Sequence, residues 1–169
     1  ATADRPHPTA MPAPAAPRWG LCCQFLDAPI RFRQTTHRYV GSLAPELRGP
    51  FLGAIARHNA AALADAVRRC TEIGIGAFRI TSQLLPLATH PESGYRLADL
   101  EGGDEIVRAF ADAGRLAAER DVRLSFHPDQ FVVLNSEREE TVRSAVRELE
   151  HTAEISAVIG ADNMTVHAG

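Results

Sequence analysis

The chain contains no lysine, so all 18 of its basic residues are arginine. Each cation can therefore form a bidentate contact to a phosphate, although a codon bias towards arginine would produce the same composition. The chain has no net positive charge, because 21 acidic residues against 18 arginines give a formal net charge of -3. This balance excludes a protein that binds nucleic acid through a basic surface as a whole, and any contact to DNA must be local.

Long apolar runs are also missing from the sequence. No stretch approaches the roughly 18 residues that cross a bilayer, and the N-terminus lacks the apolar core of a signal peptide. Residues 1–17 hold five prolines and almost no large apolar side chain, which predicts a disordered tail. We therefore expect a soluble protein without a membrane partner, with one domain over residues 18–169.

Cysteine is too sparse to hold a small fold together. The only three are Cys22, Cys23 and Cys70, and they show no CxxC spacing. This pattern excludes a disulfide framework and a zinc knuckle, and it fits the reducing cytoplasm.

From Arg18 onward, short apolar segments alternate with longer segments of helical periodicity. The pattern predicts strands at 19–25, 77–81, 122–126 and 163–167, and helices at about 51–73, 104–120 and 139–160. We expect Asp104 to cap the second helix, and Ser136 and Glu139 to form a capping box before the third. Such alternation implies parallel strands joined by right-handed crossovers, and therefore an α/β protein.

Two architectures fit this alternation, a doubly wound sheet and a (β/α)8 TIM barrel. No glycine-rich phosphate loop follows any predicted strand, and the glycines of "GIGAFR" at 74–79 precede one. This absence makes the doubly wound sheet less favourable. The sequence therefore favours the barrel.

Three histidines lie at or beyond the ends of predicted strands. His127 directly ends the third strand, His167 directly ends the fourth, and His90 lies in the loop after the second. In parallel α/β proteins such positions face the functional side, where neutral imidazoles can bind zinc, manganese, iron or nickel. A hydrogen-bonded structural histidine or a general base is the alternative at each position. We expect His37 to lie in a loop and His58 on a helix face.

Two further segments suit contact with nucleic acid. The segment "IRFRQTTHRY" interleaves arginines, among them Arg31 and Arg33, with two aromatic residues, a composition that suits phosphate contacts and base stacking. Gln130 and Phe131 follow His127 on its loop, and an amide beside an aromatic ring could fill the gap left by an extruded base. The alternatives are a solvated basic loop, and a Phe131 that is the first buried residue of "FVVL".

The motifs "FRITSQLLPLATHP", "RLSFHPDQFVVLNS" and "VHAG", together with "RWGLCCQF" and "PIRFRQTTHRY", resemble the UV damage endonuclease family. The resemblance covers residues 18–169. It implies a (β/α)8 barrel that incises DNA on the 5′ side of UV photoproducts. It therefore also implies a cytoplasmic, nucleoid-associated protein whose partner is UV-damaged double-stranded DNA.

The resemblance also implies a cofactor and roles for individual residues. Two or three divalent metal ions, Mn²⁺ being favoured, would activate the attacking water. His90, His127 and His167 match metal-site histidines of the family. Gln130 and Phe131 match the pair that probes the DNA stack, with Phe131 where many members have tyrosine.

The sequence departs from the family pattern in two respects. Leu21 stands where the first strand often carries a tyrosine, which places a DNA contact there in doubt. The remaining carboxylates, histidines and modified lysine of the metal cluster have no counterpart in this chain. Four βα units do not close an eight-stranded barrel, which takes about 250 residues. We therefore expect a partial form with little or no activity by itself.

Three alternatives to an active endonuclease remain at this point. The chain could be an inactive fragment that binds lesions or DNA. It could assemble with a second half-barrel or as a homodimer. It could also be a metal-dependent sugar isomerase, because those barrels place histidines at strand ends, although a sugar site has no need of the arginine-rich loop or the Gln-Phe pair.

Overall fold

The computed structural model describes residues 17–167 of the chain. These residues form one parallel four-stranded sheet in the order β1-β2-β3-β4, and four α-helices and a short 3₁₀ helix at Leu97–Asp99 accompany it. The strands are β1 Gly20–Cys22, β2 Ala77–Ile80, β3 Arg123–Phe126 and β4 Asn163–Met164. The helices are α1 His37–Ser42, α2 Pro45–Glu72, α3 Gly103–Glu119 and α4 Glu139–Ile159.

The strand order decides between the two architectures that the sequence leaves open. A doubly wound sheet reverses its order at a switch point, whereas each strand here lies beside the next one in the chain. Right-handed crossovers then place all the connecting helices on one face, and α3 packs against both α2 and α4. Successive βα units of a (β/α)8 barrel have this arrangement, and the predicted fold class is confirmed.

The two faces of the sheet differ sharply in polarity because successive strand residues point to opposite sides. The apolar side chains of one face are buried beneath the helices: Phe78, Ile80, Leu124 and Phe126. One row of partners across the other face is mostly polar: Cys22, Arg79, Ser125 and Asn163. In a barrel this second face lines the interior.

The predicted elements exist, but several of their ends were placed wrongly. Helix α2 begins at Pro45 instead of Phe51 and continues through Pro50. Burial of its apolar face offsets the single backbone hydrogen bond that a proline removes. Strand β4 ends at Met164, so His167 lies three residues beyond the strand instead of at its end.

Both predicted helix caps are wrong. The N-cap of α3 is Gly102, with a left-handed φ of 70°, so Asp104 lies in the first turn, where its charge favours the helix N-terminus. The N-cap of α4 is Arg138, which makes no side-chain cap. Ser136 Oγ instead accepts a hydrogen bond from the Arg138 backbone N–H at 3.2 Å. A short local turn therefore replaces the predicted capping box.

Helices α3 and α4 approach each other closely at Gly114. A Cβ atom at this position would lie 2.2 Å from the carbonyl oxygen of Ile159, near the end of α4. The absence of a side chain thus allows the C-terminal end of α4 to pack on α3 above the sheet.

The predicted disordered tail lies outside the described residues except for Pro17, which is exposed. Among the helices of residues 17–167, none has the length and apolar composition of a membrane crossing.

Candidate functional site

The candidate site lies at the carboxyl ends of the four strands, which we call the upper edge. Three long connections emerge there, over residues 23–36, 81–102 and 127–138. Parallel α/β proteins place functional residues on such connections because the strands hold their ends in fixed positions. All the histidines predicted as metal ligands lie at this edge.

His127 and His167 come together at the ends of β3 and β4. Their rings meet edge to face, with centroids 4.6 Å apart and planes at 70°. His127 Nδ1 lies 2.9 Å from the carbonyl oxygen of Pro128. A carbonyl can only accept, so the proton of neutral His127 lies on Nδ1 and the Nε2 lone pair is available to an ion.

His90 does not join this pair but stacks on His37. The two ring centroids lie 4.3 Å apart with planes at 15°. His37 Nδ1 lies 2.6 Å from Ser93 Oγ, and Nε2 lies 3.4 Å from a carboxylate oxygen of Glu92. The sequence therefore supplied three candidate histidines, and the structure arranges four in two pairs.

The prediction that His37 lies in a loop is wrong, because it is the first residue of α1. Thr36 caps this helix, and its Oγ1 accepts a hydrogen bond from the Tyr39 backbone N–H at 3.2 Å. A threonine three residues before Tyr39 was the sequence signal that could have located the helix start. Only the tertiary structure could show that His37 contacts the loop that carries His90.

The hydrogen bonds of His90 are less suited to metal binding than those of His127. The backbone N–H groups of Glu92 and Ser93 both donate to His90 Nδ1, each at 3.2 Å. A nitrogen that accepts these bonds carries no proton, so neutral His90 is protonated on Nε2. An ion could bind at Nε2 only in the other tautomer, in which the proton lies on Nδ1 and both backbone contacts are lost. His90 as a ligand stays a prediction.

The histidines of the described residues do not form a complete metal site by themselves. Within residues 17–167, no three His, Cys, Asp or Glu side chains are grouped so that they could hold an ion. Binding of a divalent ion by imidazoles alone also leaves its charge without the compensation that carboxylates provide.

The loop after His127 presents Gln130 and Phe131 to solvent. Phe131 is 76% exposed, whereas the next residue, Val132, is only 6% exposed. The alternative that Phe131 is the first buried residue of its segment is therefore wrong, since Val132 takes that role. The Asp129 side chain accepts a hydrogen bond from the Phe131 N–H at 3.0 Å, which fixes the turn behind the exposed ring.

The two arginines predicted to contact DNA differ in their surroundings. Arg31 donates through Nη1 to three backbone carbonyls, those of Phe25, Ala28 and Ile30, at 2.9 to 3.0 Å. Arg33 is exposed, and no contact within the described part of the chain engages its guanidinium. Arg31 thus stabilises the loop, and Arg33 is the better placed to contact a phosphate.

A buried amide holds the Arg33 segment in place. Asn59 of α2 is fully buried, and its Oδ1 accepts from the Arg33 N–H at 2.7 Å. Its Nδ2 donates to the carbonyls of Arg33 at 2.9 Å and Leu84 at 2.8 Å. One side chain thereby ties the connection after β1 to the connection after β2.

A cleft of about 710 Å³ opens between these connections and α4. His37, His90, Phe131 and His151 contribute to its walls. Burial lowers the pKa of His151, although the carboxylates of Glu148 and Glu154 act in the opposite direction. His151 lies half-buried on α4.

Sequence comparisons relate almost the whole chain to one family. A sequence model described as UV-endonuclease UvdE matches residues 17–168. The UV DNA damage endonuclease of Nostoc sp. is 29% identical over 174 residues, which cover 98% of this chain and 52% of that protein. The UV DNA damage endonuclease of Deinococcus radiodurans is 30% identical over 153 residues, which cover 86% of this chain and 47% of that protein.

A solved structure agrees with this relationship. The structure described as "Crystal Structure of SacUVDE" is 28% identical to this chain and superposes with a TM-score of 0.72. The match covers 89% of this chain and 48% of the solved one. The chain thus spans about half the length of the relatives that it matches.

Proposed function

The chain belongs to the UV-endonuclease family, and we propose that it provides the lesion-reading surface and histidine ligands of a DNA repair endonuclease. The reaction is hydrolysis of a phosphodiester on the 5′ side of a UV photoproduct in double-stranded DNA. The relatives are named UV DNA damage endonucleases, which supports endonuclease activity on UV-damaged DNA. The position of the incision and the use of metal are our proposal.

The exposure of Phe131 is the observation that carries this proposal. An aromatic ring 76% exposed on a fixed turn gains nothing for folding, because its apolar area stays in water. Stacking on DNA bases would remove that area from water, at about 1–3 kcal/mol per base. Gln130, also exposed, is an adjacent amide that can donate to or accept from base edges.

His127 and His167 are the side chains that would hold a divalent ion, Mn²⁺ by preference. Such an ion supplies Lewis-acid stabilisation of the phosphate charge and lowers the pKa of its bound water. His127 fits this role because Pro128 fixes its proton on Nδ1 and orients the ring. His90 is the third predicted ligand, at the cost of the two backbone contacts to its Nδ1.

The charge of the site indicates what else incision requires. Two or three divalent ions need acidic ligands, and residues 17–167 contain no group of three such side chains. We therefore propose that incision depends on carboxylates outside these residues. They could come from a second half-barrel or from another copy of the chain.

Binding to irradiated duplex DNA tests the lesion-reading surface. We expect tighter binding to irradiated than to unirradiated DNA, with the preference reduced about tenfold or more in Phe131→Ala because a stacking contact is lost. Leu134→Ala is the matched control, since Leu134 is an apolar residue of the same loop and is 51% exposed. Equal affinity for the two DNAs would contradict the proposal and would leave the sugar-isomerase alternative open.

Relaxation of irradiated supercoiled plasmid with Mn²⁺ tests the chemistry separately. His127→Ala should abolish any nicking that depends on the lesion. His58→Gln should not, because His58 is exposed on α2 and glutamine can still donate to the Arg31 carbonyl, which lies 2.9 Å from His58 Nε2. Lesion binding without nicking would assign the chemistry to residues outside 17–167. Nicking that survives in His127→Ala would remove this histidine from the proposed site.

A further inference from the structure

The end of β1 carries two adjacent thiols that the proposed endonuclease chemistry does not use. Cys22 is exposed and Cys23 is partly exposed, and their Sγ atoms lie 3.4 Å apart. Both sulfurs lie at the upper edge. Cys22 shares a register row with Arg79 on the face that lines a barrel interior.

The backbone at this pair has an uncommon conformation. The N–H of Gln24 donates to the carbonyl of Cys22 at 2.7 Å, which closes a three-residue turn around Cys23. Cys23 has a φ of 62°, in the region that side chains rarely adopt. This form of the turn is rare and strained, and such strain persists where the surrounding structure holds it. Here the Arg79 carbonyl holds it by accepting from the Cys23 N–H at 2.9 Å.

Arg79 also contacts the thiols with its side chain. Its Nη2 donates to Cys22 Sγ, so a positive charge lies directly on the more exposed sulfur. Its Nε is buried and has no hydrogen-bond partner among the described residues. Burial, and then the neighbouring Cys22, raises the pKa of Cys23. Because Cys22 is the more exposed of the two, it is the sulfur that a soft electrophile reaches first.

The geometry favours chelation over a disulfide bond. Adjacent Cα atoms lie about 3.8 Å apart across a trans peptide, below the distance of about 4.4 Å at which ordinary disulfides begin. With bonds to sulfur of about 2.3 Å, sulfurs 3.4 Å apart subtend roughly 95° at a shared atom. A tetrahedral zinc ion would instead need sulfurs about 3.8 Å apart. An angle near 95° suits a pyramidal, three-coordinate centre.

We propose that Cys22 and Cys23 form a bidentate site for a thiophilic metalloid, with trivalent arsenic as the ligand of matching geometry. Two As–O bonds break and two As–S bonds form, and each thiol proton leaves on a hydroxide as water. Arsenic stays trivalent and keeps its third hydroxide, so the step needs no oxidant or reductant. Arg79 assists because its Nη2 donates to Cys22 Sγ and so holds that sulfur beside Cys23.

Cys70 serves as an internal control for this proposal. It is fully buried within α2, and burial alone raises its pKa to about 11. Such a thiol is inert towards electrophiles in solution as long as the fold is intact. A reagent that distinguishes the pair from Cys70 therefore reports the site, whereas general thiol reactivity would not.

Phenylarsine oxide added to the folded chain tests the site, because its arsenic exchanges only two ligands for sulfur. Mass spectrometry under non-denaturing conditions should show one adduct, with complete loss of adduct in Cys22→Ser and in Cys23→Ser. Cys70→Ser should bind like the unaltered chain. The adduct should survive an excess of a monothiol and be removed by a small dithiol, since only a second chelate competes with the first.

Three results would overturn the proposal. An adduct that persists in either Cys22→Ser or Cys23→Ser would show attachment to one sulfur. Removal by the monothiol would show that no chelate forms. Absence of an adduct in the unaltered chain would show that the pair does not bind trivalent arsenic. None of these results depends on DNA binding or nicking, so the proposed endonuclease is tested separately.

Discussion

The two ends of the sheet are built differently. At the amino ends of the strands, which we call the lower edge, α2, α3 and α4 each return to the next strand through a short turn with one left-handed residue. These are Gly74 with φ 73°, Asp121 with φ 54° and Gly160 with φ 68°. The upper edge instead has the three long connections that carry the histidines, Phe131 and Arg33.

Charge is also distributed differently between the two edges. At the lower edge, Arg18 pairs with Asp121 at 2.7 Å and Arg123 pairs with Asp162 at 2.8 Å, both across different elements. At the upper edge, Arg33 has no such partner among residues 17–167. The ion pairs of the lower edge hold the fold together, whereas Arg33 at the upper edge stays available for a ligand. This division is the one that barrel enzymes show between stability and catalysis.

The largest expected effect tests how the upper edge is held. Asn59→Ala should lower the free energy of unfolding by about 3 kcal/mol, because it removes the partner of the part-buried N–H and carbonyl of Arg33 and of the buried carbonyl of Leu84. Urea unfolding measures this change. Lesion binding should weaken more than stability alone explains, since the segment that carries Arg33 loses its anchor.

Thr152→Ala is the matched control for this prediction. Thr152 is the other buried polar residue of the described chain, but its hydroxyl donates only to Glu148 within the same helix. We expect it to cost about 1 kcal/mol and to leave binding unchanged. Equal costs for the two variants would show that Asn59 does not connect the loops.

A substitution on α3 should have a smaller effect, and on stability alone. Gly114→Ala should lower the free energy of unfolding by about 2 kcal/mol, because its Cβ would meet the Ile159 carbonyl at the close approach of α3 and α4. Lesion binding, measured under conditions where the variant is folded, should not change. Gly41→Ala on α1 is the control, since a Cβ there meets no atom within 4 Å and alanine favours a helix. A binding defect in Gly114→Ala would contradict the separation of the two edges.

The two arginines of the upper edge should differ in the next measurement. Arg33→Gln should weaken DNA binding irrespective of sequence and reduce the slope of log affinity against log salt by about 1, as expected for one lost phosphate contact. Arg31→Gln should mainly destabilise the loop, because Arg31 Nη1 bonds three carbonyls there. Titrations at several salt concentrations, combined with thermal unfolding, separate these effects. The assignment fails if Arg31→Gln changes the salt slope and Arg33→Gln does not.

The smallest expected effect is on pH dependence. Burial lowers the pKa of His151 below its ordinary value of 6.5. As the pH falls through that value, His151 is therefore protonated more readily in the unfolded chain than in the folded chain. Stability should therefore be unaffected above that value and fall as the pH drops below it. His151→Leu should flatten this part of the profile, measured by urea unfolding at several pH values. A slope that is unchanged in the variant would assign the dependence to other groups.

Local patterns predicted the regular elements well. The helical spacing of apolar residues located α3 and α4 to within a few residues, and the short apolar runs located β2 and β3. The predicted capping box at Ser136 was wrong because the backbone N–H of Arg138, which is nearer in sequence, donates to the Ser136 hydroxyl instead. The predicted start of α2 was wrong because a proline such as Pro50 usually marks a helix boundary. Only packing shows that the helix continues through it.

The sequence by itself determined the α/β alternation, the family and the position of His127 at a strand end, because periodicity and short motifs are written in neighbouring residues. Only the tertiary structure decided that His90 stacks on His37, that Phe131 is exposed while Val132 is buried, and that Arg31 is engaged. Loops lack a repeating pattern of burial. Their paths depend on contacts between residues distant in sequence, such as those that Asn59 makes to two connections at once.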